Sequence, residues 1–393
     1  MSRRRVVVSG MGCVSPLGSN CTETTEALRE ARDCVTPVRA FDVSQCKCRT
    51  AGQVDDPGGV EGFPRSRRWN PASRMMLAAT LEAIVPHGRF TPDAVIIATT
   101  SGGMTFGENF YRMFLHGERS PQAARWVREY VPQQPVRDAL DALGVEAPIR
   151  IVSNACASGT NAIGAAFHLI RSGRAERVLC GGYDALCELV FAGFSSLQAA
   201  TGDKCRPFDA GRTGLVLGEG AAVFVLESLD SARAAGREIL AEVAGYGAAN
   251  DNFHLTQPNP DGSGPRASME SALADAGWSA DSVDYVNAHG TATTFNDACE
   301  ARALAATCPQ AAISSTKGQM GHSLGAAGAI EAAFCVLAMR AGFLPANLNF
   351  RTPDPDVALD IVANTTRPHA ARRVLSNSLG FGGSNATLAL ATL

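Results

Sequence analysis

Charge is scarce in this sequence. Asp, Glu, Lys and Arg make up 19% of its 393 residues, where roughly 25% is usual in a globular chain. The formal net charge is −3, so no basic excess points to nucleic acid or an anionic membrane as the main partner. Aromatic residues are few, at 6%. No uninterrupted apolar stretch reaches the ~18 residues expected of a membrane span. Arg3-Arg4-Arg5 followed by Val6-Val7-Val8 imitates the start of a secretory signal, but the apolar run stops at Ser9-Gly10. A first strand running into a loop is the expectation there. The 12 cysteines include no C-x₂-C pair, and Cys34, Cys46 and Cys48 have no second ligand pair nearby. Reduced thiols in a cytoplasmic protein are expected, with no metal and no organic cofactor.

What is plentiful is apolar residues, 46% of the chain, and glycine, 39 residues. The first is ample for a large core. The second implies tight turns or close backbone approaches. Glycines 10 and 12 supply part of a dinucleotide-binding fingerprint, but Ser15 occupies the third glycine's place. Further along, apolar runs and helical periodicity alternate. Val95–Ala98, Ile149–Val152 and Arg177–Cys180 read as strands, with helices over 72–85 and around Ile163, Ala166, Phe167 and Ile170. A similar cadence returns with strands at Val283–Val286, Ala312–Ser315 and Val374–Ser376 and a helix over 324–340. Two similar halves, 1–230 and 231–393, with parallel-type sheets covered by helices, are the α/β architecture this predicts.

In such folds ligands gather where strands end and helices begin. Four loops of that kind carry reactive residue types. Cys156 lies between a strand and the first turn of a helix, a place expected to lower a thiol's pKa. His289 and His322 are each flanked by glycine in strand-to-helix loops. Glu331 sits among Ala329, Ile330, Ala332, Ala333 and Phe334, so it needs a buried partner, and Lys317 is available. Gly380-Phe381-Gly382-Gly383 places a bulky ring in a pliable turn, suited to a gate and to presenting a backbone N–H to an oxyanion. Gly321-His322-Ser323-Leu324-Gly325 matches the G-x-S-x-G elbow of serine hydrolases, but the preceding strand is expected to end near Ser315, which leaves the elbow without its strand.

Taken in order, the motifs resemble the β-ketoacyl–acyl-carrier-protein synthases, most closely their Cys-His-His elongating class. They are Val8-Ser9-Gly10-Met11-Gly12, Asn154-Ala155-Cys156-Ala157-Ser158-Gly159, Arg206-Pro207-Phe208-Asp209, Leu217-Gly218-Glu219-Gly220, Asn287-Ala288-His289-Gly290-Thr291-Ala292-Thr293, Ser315-Thr316-Lys317, Gly321-His322 with Gly325-Ala326-Ala327-Gly328 and Glu331, and Gly380-Phe381-Gly382-Gly383. The resemblance implies a thiolase-like fold of two βαβ-rich halves in five α-β-α-β-α layers, and a homodimer. It makes Cys156 the nucleophile that takes an acyl chain from a carrier-protein thioester. It makes His289 and His322 the pair that promotes malonyl decarboxylation, with Lys317 and Glu331 as the supporting ion pair. Phe381 becomes the gate, its N–H and that of Cys156 the oxyanion hole, and Thr291 and Thr293 the hydroxyls that bind the pantetheine arm. Gly380 and Gly382 flank that gate beside the substrate.

The same resemblance places Arg65, Arg67, Arg68 and Arg74 where the acidic carrier protein docks. It sets Gly107 near the residue that gates the acyl channel, where glycine is expected to leave room for a longer, branched or rigid unsaturated chain. Housekeeping fatty acid synthesis and a specialised lipid or polyketide pathway both remain open. The sequence departs from the family pattern at Thr294, Leu379, Arg212-Thr213-Gly214 and Asn250–His254. Two alternatives stand beside the condensing enzyme: a serine acyltransferase or hydrolase using Ser323, and a non-catalytic partner subunit of a ketosynthase heterodimer. The presence of Cys156, His289 and His322 counts against the second.

Overall fold

The computed structural model describes residues 4–63, 66, 68–355 and 359–393. Its main sheet has eleven strands. These are β1 (Val6–Val14), β2 (Ala94–Ala98), β3 (Ile149–Val152), β4 (Arg177–Asp184), β5 (Gly220–Ser228), β6 (Ala241–Asn250), β7 (Tyr285–Asn287), β8 (Ala312–Ser314), β9 (Asp360–Ile361), β10 (Arg373–Gly380) and β11 (Ser384–Ala391). They lie in the order β9-β8-β7-β10-β11-β6-β1-β5-β4-β2-β3. The order is a duplication. The run β3-β2-β4-β5-β1 in the first half is matched by β8-β7-β10-β11-β6 in the second, with β9 added at the edge. The halves meet at a narrow seam, where β1 and β6 pair over Val6–Val243, Val7–Glu242 and Val8–Ala241.

The expectation of parallel-type sheets needs correction. β3, β2 and β4 are parallel, as are β8, β7 and β10, but β4-β5-β1 and β10-β11-β6 are antiparallel. The reason lies in the connections. β10 reaches β11 through the three residues Phe381–Gly383, and so short a connection makes only an antiparallel neighbour.

The helices that shape the site are α1 (Pro71–Ile84), α2 (Met104–Leu115), α3 (Gln134–Leu143), α4 (Ser158–Arg171), α5 (Glu188–Ser196), α6 (Ser263–Ala276), α7 (Thr294–Thr307), α8 (Lys317–Met320) and α9 (Ala327–Ala341). α1 and α3 cover the outer face of the first half, and α6 and α7 that of the second. Between the halves, α4 and α9 pack on each other and on strands from both, which gives five layers. The span Leu324–Ala341 is long and apolar enough to cross a membrane by composition, yet 89% of it is buried inside the protein. It is the core helix, interrupted in sequence by Glu331 and Arg340.

Ser9–Gly12, expected as a loop, lies inside β1, with a bulge between Val8 and Gly10. The glycines there serve packing and no dinucleotide. A Cβ on Gly10 or Gly12 would overlap the carbonyl oxygen of Ala83 or Ala79 on α1. In the second half, Gly245 and Gly247 of β6 meet α6 at Ala272 and Ser268 in the same way. Glycine thus lets each outer helix seat its backbone directly on a strand. Gly12→Val is expected to lower the free energy of unfolding by about 1–3 kcal/mol, the usual cost of overpacking, as read by chemical denaturation.

Candidate active site

The duplication decides where the candidate site sits. Cys156 follows β3 and precedes α4; His322 follows β8 and α8 and precedes α9. The two residues therefore stand at equivalent ends of the two central helices. His289 follows β7, and Phe381 follows β10. All four converge on one pocket of ≈ 200 Å³, which Thr291 and Thr293 also line. The ligating atoms of Cys156, His289 and His322 lie within 4.8 Å of one another, and all three residues are buried. The two imidazoles meet edge to face, with centroids 5.1 Å apart.

The turn that presents Cys156 is strained. Ala155 has φ +48°, a left-handed conformation that costs an ordinary residue roughly 1–2 kcal/mol. Ser158 holds the turn, its Oγ donating to the Ala155 carbonyl and accepting the Asn154 N–H at 2.7 Å. The thiol is not acidified as its helical position suggested. Burial pushes it up to about 12, outweighing the opposite pull of Lys317 and of the Phe381 N–H that donates to it. Cys156 is thus a thiol at rest and needs a nearby base to become a nucleophile. The His289 and His322 rings are neutral, because burial and then the charge of Lys317 hold both well below the ordinary imidazole range.

Lys317 is the pivot of this arrangement. Its ammonium makes an ion pair with Glu331 on α9, and its Nζ lies 3.3 Å from His289 Nδ1. An ammonium can only donate, so Nδ1 accepts and the neutral ring carries its proton on Nε2. His289 is thereby set as a donor toward the pocket. His322 has no hydrogen-bond partner on either ring nitrogen among the described residues, although it is buried. A Cys-His-His cluster of this size could suit a soft divalent ion, but coordination by His289 Nε2 would require displacing its proton against the Lys317 contact.

Three carboxylates that sequence reasoning misses hold these loops. Glu300 on α7 accepts the backbone N–H groups of His289 and Gly290, each at 2.8 Å, and burial raises its carboxyl to about 7. Asp297 accepts from Phe208 and Ala292 at 2.7 and 3.1 Å. Asp184, at the end of β4, accepts from Ser101 at 2.8 Å and Gly325 at 2.7 Å, tying a first-half loop to the turn after His322. Glu300 carries the same signal as Glu331, an acid among Ala, Cys and Leu on a helix.

Other expected residues fall elsewhere. Gly107 does not line the pocket. The ring of Tyr130 lies 3.3 Å from where a Gly107 Cβ would stand. Ser323 is buried, and a loop and α8 separate it from the end of β8 at Ser314, so no strand runs into it. Arg68 is exposed, Arg74 pairs with Asp56, and Arg65 and Arg67 lie outside the described residues. All 12 cysteines, including Cys34, Cys46 and Cys48, are free thiols.

Residues 3–232 match the N-terminal domain of β-ketoacyl synthases and residues 240–351 the C-terminal domain. The chain belongs to the β-ketoacyl synthase family. It is 35% identical to 3-oxoacyl-acyl-carrier-protein synthase 2 of Synechocystis sp., over 99% of this chain and 98% of that protein. Among solved structures, the ishigamide ketosynthase/chain length factor matches with a TM-score of 0.92 and 35% identity over the whole of both chains. A type II polyketide acyl-carrier protein in complex with its hexaketide-bound ketosynthase, AntDE:AntF, matches at 0.89 and 27%, again over both whole chains. The fold is that of the thiolase-like ketosynthases, as the motif order implied.

The alkylation rate of Cys156 by iodoacetamide, followed by peptide mass mapping, is expected to rise through pH 9 without a plateau, as the thiolate fraction of a high-pKa thiol grows. A plateau near pH 7 would show an acidified thiol instead.

Proposed function

We propose that this chain is a β-ketoacyl–acyl-carrier-protein synthase that joins an acyl chain held on Cys156 to a malonyl unit delivered by acyl-carrier protein. The observation that carries the reading is the meeting of Cys156, His289 and His322 above the Lys317–Glu331 pair in one pocket of a family member. In the first half-reaction the Cys156 sulfur attacks the acyl thioester carbonyl. A neutral imidazole takes the thiol proton, and the departing carrier thiolate recovers it. The oxyanion is met by the N–H groups of Cys156 and Phe381. In the second, malonyl thioester loses carbon dioxide, and its enolate oxygen accepts hydrogen bonds from His289 and His322. The enolate carbon then attacks the Cys156 thioester, and collapse of that intermediate releases 3-oxoacyl-carrier protein and frees the sulfur. Splitting condensation in this way is what covalent catalysis provides.

Thr291 and Thr293, 3.0 Å apart at the hydroxyls, are suited to hold the pantetheine arm, and Gly380 and Gly382 let the backbone approach it. The carrier protein is assigned to the face bearing Arg68 and Arg74, with Arg65 and Arg67 in the same stretch of sequence. The chain is read as two halves divided near residue 230, and as one partner in a homodimer. The edge strand β3 and the exposed Tyr111, Phe114 and Leu115 of α2 fit such a contact. A cytoplasmic location agrees with the free thiols.

Incubation with acyl-carrier protein followed by intact-mass spectrometry is expected to show one acyl adduct, lost in Cys156→Ala and kept in Ser323→Ala. The reverse pattern would overturn the reading. Lys317→Ala is expected to slow release of carbon dioxide from malonyl-carrier protein by about 10²-fold or more, because the tautomer of His289 is no longer fixed.

A further inference from the structure

We propose that Phe194 is a positioning residue for the acyl-transfer step, and that its ring returns the Phe381 gate to the place where the Phe381 N–H meets Cys156. The inference rests on the function proposed above. The rings of Phe194 and Phe381 stack with centroids 5.7 Å apart and planes 25° from parallel. Both line the pocket that holds Cys156. Phe194 is the one aromatic partner of Phe381 among the described residues.

The two sides of this contact differ in rigidity. Phe381 stands in a turn whose next two residues, Gly382 and Gly383, have φ near +80° (+81° and +79°). The turn is anchored beyond the ring, where Gly382 donates to the Leu255 carbonyl at 2.8 Å and accepts from Asn250 at 3.0 Å. Phe381 is 36% exposed. Phe194 sits on α5, which is fixed at several points. Glu108 of α2 accepts the Leu189 N–H at 2.7 Å, Arg112 of α2 pairs with Glu188 at 2.5 Å, and the Ser195 hydroxyl accepts the Lys47 N–H at 3.3 Å. Phe191, one turn back, is buried and meets Phe41 edge to face at 5.4 Å. A fixed post thus faces a pliable turn. An acyl group arriving at Cys156 has to pass the Phe381 ring, and the stack defines where that ring comes to rest afterward.

The N–H of Phe381 serves the tetrahedral oxyanion of transfer, whereas decarboxylation calls on the histidines. Loss of the stack therefore separates the two half-reactions, which a merely structural defect does not. The test uses octanoyl-carrier protein for transfer, by single-turnover mass spectrometry, and malonyl-carrier protein for carbon dioxide release. Phe194→Ala and Phe194→Leu, the latter keeping bulk without the aromatic face, are expected to lower the transfer rate tenfold or more relative to decarboxylation, with KM for the acyl carrier within twofold. Phe194→Tyr, which keeps the ring, is expected to restore transfer to within threefold of the parent. Equal loss in both half-reactions, unchanged transfer, or failure of Phe194→Tyr to restore it would overturn the inference. Absence of any Cys156 adduct in the unaltered enzyme would overturn the proposed function instead.

Discussion

A single buried ion pair organises the centre of this protein. Lys317 and Glu331 meet deep inside the protein, with both side chains almost fully buried. Such a pair is a poor source of stability, since both ions lose their hydration. Burial pushes the Glu331 carboxyl upward even with Lys317 against it. What the pair supplies is orientation. It puts a donor of known position against His289 Nδ1, and the proton of that ring then faces the pocket. Helix α9 must bring Glu331 into register with a lysine on the short helix before it. That requirement fixes the turn carrying His322 and so the second imidazole.

The groups of the candidate site are legible because polar residues are conspicuous in a chain so poor in charge. Cys156, His289, His322, Lys317 and Glu331 each stand out against small or apolar neighbours in or beside loops between a strand and a helix, and the structure brings all five together. Glu300 shares the signal of a buried acid on an apolar helix face, but what it holds is not readable, because its partners are backbone N–H groups, which leave no mark in a sequence.

The fold is less readable where alanine and glycine dominate. β6, Ala241–Asn250, contains four alanines and two glycines among its ten residues, so its strand character comes from pairing with β11 and from α6 seated on it. β1 reads as strand then loop for the same reason. Local preference treats Gly10 and Gly12 as breakers, while tertiary packing uses them as the only residues small enough for the contact. The misjudged acidity of Cys156 has a like origin. A helix terminus is visible in sequence, but the depth of burial is not, and burial dominates.

The placement of Cys156 and His322 at matching ends of two central helices also bears on how the chain survives its own synthesis. Neither half holds a complete site. In an unfolded chain a thiol lies against solvent, with an ordinary thiol's acidity and an ordinary thiol's exposure to oxidants. Folding buries the Cys156 sulfur and raises its pKa. Assembly of the core is thus also the step that quiets this thiol. A chain that has lost its interior packing loses the pocket and the protection of this sulfur in the same event.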